Sequence, residues 1–195
     1  MQPVTTITGR MLPLDRADVD TDQIMPKQFL KRIERTGFGE FVFHDWRDDP
    51  AFVLNDERYA GANVLVTGPN FGSGSSREHA PWGLQQHGFD AIVAPSFADI
   101  FRNNCAKIGL LTVTLPAATC RELIALTTDD PEASIRIDLP EQVVVTAVGT
   151  MRFEIDGHTK HLLVEGLDTI DMTLARDDEI TAFEQRRSLF MPIAG

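Results

Sequence analysis

Three short apolar runs, separated by two helix-length stretches that each end at a glycine, constrain this chain more than any other feature. The runs lie at residues 63–67, 91–95 and 110–115. Residues 78–87 between them read as a helix stopped by Gly88. Residues 96 to about 108 read as a second helix stopped by Gly109, with Ser96 as its N-cap and Asp99 as capping-box partner. A β–loop–α–β–α–β order requires parallel strands joined by right-handed crossovers. The expected fold class is therefore α/β with a mostly parallel central sheet.

The flanking segments are less regular. Residues 3–9 read as a strand closed by Gly9. Residues 11–27 hold so many turn formers that a loop is expected, leading to a short helix at 27–33. Residues 35–61 read as irregular, with 44–50 as a turn-rich surface segment. After Pro116 a helix is expected over 118–127. Three alternating runs at 134–139, 142–148 and 151–155 read as a small antiparallel unit. Asp156-Gly157 is a turn signal, and 177–189 reads as a terminal helix. The expectation is one domain over 1–195, with a core of about 1–130 and a β and helical extension of about 131–195.

Composition narrows the function classes. The formal net charge is −11. A general nucleic-acid binder needs a basic face, so that role is disfavoured, although a local cationic pocket is not. Cys105 and Cys120 form no CxxC, which is too little for a zinc site or a complete iron–sulfur cluster and argues against a disulfide framework. A reducing, cytoplasmic setting follows. No apolar stretch approaches the ~20 residues of a membrane span, and the acidic start lacks the apolar run of a signal peptide.

The chemistry concentrates in Asn70-Phe71-Gly72-Ser73-Gly74-Ser75-Ser76-Arg77-Glu78-His79-Ala80, which follows a strand and opens a helix. Glycines let the backbone approach a ligand, and helix-start N–H groups attract an anion. Arg77 adds a planar fork that matches a carboxylate, and Ser75 and Ser76 add hydroxyls. The alternative is a plain capping box, Ser75-x-x-Glu78. Pro81 favours a later helix start, near Arg77 or Glu78, which releases Ser75 from capping. The dinucleotide fingerprint lacks its third glycine, and no Gly-Lys-Ser/Thr follows for a nucleotide loop.

Gly72-Ser73-Gly74-Ser75-Ser76-Arg77-Glu78-His79-Ala80 resembles the active-site loop of the swivelling domain in the aconitase superfamily. Asp20-Thr21-Asp22-Gln23-Ile24-Met25-Pro26 is similar to that family's N-terminal Thr-Asp loop. Ser96-Phe97-Ala98-Asp99-Ile100-Phe101-Arg102-Asn103-Asn104 and Ile108-Gly109-Leu110-Leu111 are similar to its second crossover helix and following strand. Free-standing length and Phe29-Leu30-Lys31-Arg32 bring the chain nearest to the bacterial 3-isopropylmalate dehydratase small subunits.

The resemblance implies a swivelling β/α/β domain with added C-terminal β and helical segments. It implies a small subunit that interconverts 2-isopropylmalate and 3-isopropylmalate by dehydration and rehydration in leucine biosynthesis. Activity would require a large-subunit partner carrying a 4Fe-4S cluster, with no metal or cofactor in this chain. By motif position Ser75 would take the carbon-bound proton. Ser76 and Arg77 would hold substrate carboxylate, with Asp22, Thr21 and Gly74 beside them. Phe29, Leu30, Lys31 and Arg32 would face the substrate's variable group, or else form a short amphipathic helix with one buried face. Ser73 is given no role.

Plainer readings suit the remaining residues. His79 supports the helix start, His44 and His87 are surface or core, and His158 and His161 lack a third ligand. Cys105, Trp46 and Trp82 are packing residues, and the acidic runs are solvated faces or helix starts. Two other functions stay open: a related hydro-lyase subunit of the homoaconitase or methylmalate/citraconate type, and a non-catalytic anion-binding module.

Overall fold

The computed structural model describes residues 1–31, 34–174 and 176–187. The expected parallel unit is present. Strands β2 (Val64–Thr67), β3 (Ala91–Ala94) and β4 (Leu111–Thr114) pair in parallel, joined by helices α2 (His79–His87) and α3 (Asp99–Ile108). Every residue of β2 and β3 is buried, as expected for strands covered on both faces. Helices α2 and α3 stop at Gly88 and Gly109, both left-handed.

Strand β1 corrects the expected loop at 11–27, because it runs from Thr6 to Leu14. Residues 6–10 pair antiparallel with β5 (Ser134–Asp138), and residues 11–14 pair parallel with β2. Pro13 signals a loop in sequence. It falls in the half of β1 whose only strand neighbour is β2, so its missing N–H interrupts no two-sided ladder. Burial of Met11, Leu12 and Leu14 holds the strand in place.

Strands β6 (Val143–Thr146) and β7 (Gly149–Arg152) complete the expected antiparallel unit. The whole sheet has seven strands in the order β4-β3-β2-β1-β5-β6-β7. It is parallel on one side of β1 and antiparallel on the other.

Three local expectations change. A helix α1 (Thr21–Ile24) interrupts the expected loop, with Asp20 and Gln23 closing a reciprocal capping box. Ser96 does not cap α3. Residues 71 and 97 form a parallel bridge that keeps the chain extended there, and the Ser96 hydroxyl instead accepts the Asn70 N–H at 2.9 Å. Asp156 is not a hairpin turn. Its carboxylate accepts the Thr159 N–H and caps helix α5 (Gly157–Glu165).

Residues 35–61 are more ordered and more buried than their composition suggests. They wind through 3-10 turns at Gly39–Phe41, His44–Trp46, Val53–Asn55 and Glu57–Tyr59, following one at Lys27–Lys31. Phe38, Val42, Phe43, Phe52 and Tyr59 are buried, while Asp48, Asp49 and Pro50 are exposed.

The core has two compartments, one per sheet face. The first gathers Leu12, Leu65 and Ile92 with α2, α3 and the 3-10 turns. The second gathers Met11, Val64 and Val93 with α5 and α4 (Ala117–Asp129). Helices α6 (Thr169–Leu174) and α7 (Asp177–Arg186) follow, so the expected terminal helix is present through residue 186. Among the described residues no helix is long and apolar enough to cross a membrane.

Candidate active site

The Gly-Ser loop leaves the carboxyl end of β2, where open α/β sheets bind ligands. Two extended segments lace it down. On one side Gly72 N–H donates to Val19 O at 2.8 Å and Thr21 N–H donates to Ser73 O at 2.9 Å. On the other, Phe71 N–H donates to Ser96 O at 3.1 Å and Ala98 N–H to Phe71 O at 3.0 Å. Gly72 has φ +78°, and a Cβ there would lie 2.1 Å from Cγ of Phe101, so no other residue fits.

Helix α2 begins at His79, with no side-chain cap at Glu78. The capping-box alternative for Ser75 is thereby removed, and Pro81 falls in the first helical turn, where it is tolerated. Ser75 and Ser76 are exposed. Among the described residues, nothing accepts from the amides of Gly74, Ser75 or Ser76. The Thr21 hydroxyl donates to Ser75 O at 2.7 Å, and Thr21 itself is buried, so it fixes the loop from behind.

Arg77 makes a bidentate ion pair with Asp22, both guanidinium nitrogens donating and Nη2 lying 2.8 Å from Oδ2. The arginine side chain is only 16% exposed and the aspartate 52%, so the cation is held in the fold while its partner faces solvent. A cavity of about 260 Å³ opens here. Thr21, Gly74, Ser75, Ser76 and Arg77 form its polar wall, and Ala98, Ile100 and Phe101 its apolar one. The expected residues of the loop and the Thr-Asp segment thus converge.

The Phe29–Arg32 stretch does not join them. Phe29 stacks on Phe41 at a centroid distance of 4.1 Å, and Phe29 and Leu30 pack on the core. Lys31 is exposed, none of these three lines the cavity, and Arg32 lies outside the described residues.

The sequence reading passed over Asn104 as a site residue. It is 6% exposed, and its amide donates to Ser76 Oγ at 3.4 Å. The available signal was a polar residue on the face of α3 that also carries Phe101 and Cys105.

His79 packs against Phe38 and Trp82 at centroid distances of 5.2 and 4.8 Å. Burial, which outweighs the opposing Glu78 carboxylate and is aided by the Arg77 cation, pushes its pKa below the ordinary 6.5 and favours the neutral ring. Cys105 and Cys120 are buried on opposite faces of the sheet. Burial raises both thiols, Cys120 to about 11, so neither is a ready thiolate ligand. Among the described residues no group of three His, Cys, Asp or Glu side chains could hold a metal ion, His158 and His161 included. The described side chains therefore do not fit an iron–sulfur cluster.

The loop lies at a strand end, locked between two extended segments, and residues 1–118, which carry it, match the family model for the aconitase C-terminal domain, so the chain holds an aconitase-type domain. Residues 169–192 match the model for the C-terminal domain of the 3-isopropylmalate dehydratase small subunit. A 3-isopropylmalate dehydratase small subunit from Rubrobacter xylanophilus is 52% identical over 192 residues, 98% of each chain. One from Bacillus subtilis is 47% identical over 198 residues, covering 98% of this chain and 99% of that one. The crystal structure of 3-isopropylmalate dehydratase from Methanocaldococcus jannaschii superposes with a TM-score of 0.63. It is 27% identical and covers 92% of this chain and 99% of that chain. The chain belongs to the 3-isopropylmalate dehydratase small subunit family.

Proposed function

We propose that this chain is the cluster-free half of a hydro-lyase that interconverts 2-isopropylmalate and 3-isopropylmalate in leucine biosynthesis, acting in the cytoplasm. One observation carries the reading: a held guanidinium and two exposed serine hydroxyls converge on one small cavity at the strand ends. Near-full-length identity to the named small subunits supports the choice of substrate. The chain acts as one domain, with a core of about 1–130 and an extension of about 131–195.

The residues divide the work by their chemistry. Arg77 presents a fork to a substrate carboxylate, which competes with Asp22 for it. Ser76 and the amide of Gly74 add donors. Ser75, as an alkoxide stabilised by Arg77 and the free loop amides, takes the proton from carbon and becomes the neutral hydroxyl. Thr21 keeps the Ser75 backbone in place. Lys31, the exposed member of the Phe29–Lys31 stretch, faces the substrate's variable group once the partner is docked, while Phe29 and Leu30 hold that stretch on the core. Lewis-acid chemistry at the departing hydroxyl belongs to a 4Fe-4S cluster on the large subunit.

Co-expression with a candidate large subunit, purification without oxygen and an isopropylmalate dehydration assay test the reading. The pair is expected to turn over, and the lone chain to carry no iron and no activity. Stoichiometric iron in the pure lone chain would overturn the division of labour. A pair that dehydrates only methyl-substituted malates or homoaconitate would move the chain to a sister enzyme. Tight carboxylate binding by the lone chain, with no partner captured, would make it an anion-binding module.

A further inference from the structure

The buried face of α3 carries Phe101, Asn104 and Cys105, one polar residue among apolar ones. A carboxamide in that position is unfavourable unless both of its ends are bonded. Here both ends have partners. Nδ2 lies 3.4 Å from Ser76 Oγ, and Oδ1 lies 3.5 Å from Lys107 Nζ. An ammonium can only donate, so the oxygen end of the amide must face Lys107. The nitrogen end must then face Ser76, and the direction of the chain of bonds is fixed: Lys107 donates to Asn104, and Asn104 donates to Ser76.

That direction decides what Ser76 can do. With one lone pair occupied from behind, its proton is free to turn outward into the cavity shared with Ser75 and Arg77. Carboxylate oxygens accept and never donate, so an outward-facing hydroxyl proton is the polarity they need. We propose that Asn104, oriented by Lys107, is a positioning residue that holds Ser76 as a hydrogen-bond donor to the substrate carboxylate. Asn104 does not itself line the cavity. Both bonds are long, so the contribution lies in orienting the hydroxyl more than in bond strength. The inference rests on the reading that Ser76 contacts substrate.

Asn104→Asp tests it in the reconstituted pair, with 3-isopropylmalate as substrate. Aspartate has the same shape and gains an ion pair with Lys107, so the fold is kept. It accepts where asparagine donated, so the Ser76 proton turns inward. The KM is expected to rise about ten- to a hundredfold, the worth of one hydrogen bond to a charged group. The change in kcat should be smaller and the melting temperature unchanged. In a Ser76→Ala background the same substitution should add less than about twofold, because the two residues act as one unit. A wild-type KM for Asn104→Asp, with a raised KM for Ser76→Ala, would overturn the positioning role and leave the site reading intact. A wild-type KM for Ser76→Ala would remove both. If the aspartate variant does not assemble, Lys107→Met on the exposed side of the helix replaces it. About a threefold rise in KM supports the relay, and no change overturns it.

Discussion

The two faces of the sheet are built from different materials. Among the described residues, seven buried phenylalanines crowd the face covered by the 3-10 turns, α2 and α3, against one on the face covered by α4 and α5. Regular helices mesh with Val, Ile and Leu at the second face, where small branched side chains fill the grooves. Irregular turns leave larger and less regular gaps, which flat rings fill. Phe43 stacks on Trp46, and Phe71 meets Phe101 edge-on, as rings prefer. The Gly-Ser loop belongs to the aromatic face and rests on the ring of Phe101. Its position is therefore set by packing beneath it, whereas none of the residues lining the cavity belongs to the aliphatic cluster.

Substitutions on the two faces should separate these roles. The largest effect is expected for Ser75→Ala in the reconstituted pair. Turnover should fall about 10²–10⁴-fold with KM nearly unchanged, as for loss of a positioned base. Measuring melting temperature on the same preparation excludes a fold defect, and a folded, fully active variant would remove Ser75 from the mechanism. Gly72→Ala should destabilise by about 3–4 kcal/mol, from overpacking against Phe101 plus a left-handed backbone. Gly149→Ala, with open space around it, should cost clearly less, and equal denaturation midpoints would contradict the packing account.

Leu123→Ala, on the aliphatic face, should cost about 3 kcal/mol through a cavity. Its kcat per folded molecule should stay at the wild-type value; a matching loss of kcat would mean that the faces are coupled. Arg77→Lys keeps the charge and loses the fork, so kcat/KM should drop about ten- to a hundredfold.

The smallest effect concerns pH. The folded pKa of His79 lies below 6.5, so the unfolded chain takes up its proton first as pH falls. The stabilisation is complete above 6.5 and is lost on descending toward the lowered folded value. Melting temperature followed from about pH 7.5 to 5 should decline less in His79→Gln than in the wild type. Identical slopes would show that burial of the ring has no such consequence.

The parallel unit was legible because β2 and β3 are buried on both faces and so read as unbroken apolar runs. The loop was legible because glycines and serines follow a strand and Pro81 delays the helix start, which told against the capping box as its only use. The remaining features depend on contacts distant in sequence. Nothing local says that Pro13 sits beside a single strand, or that Ser96 would be drawn into a bridge with the loop. Asp156 caps a helix and Asp-Gly reads as a turn, and only the course of the following residues separates the two. Asn104 looks like any helix polar residue until α3 is docked with that side inward.

Strand β1 also sets a timetable. Its second half meets β2 some fifty residues downstream, but residues 6–10 must wait for residues 134–138. At about 5–20 residues per second, a ribosome takes on the order of ten seconds to deliver that partner. For this interval the nascent chain carries an open strand edge, with Ile7 uncovered, and that edge is paired only after residues 134–138 have been made.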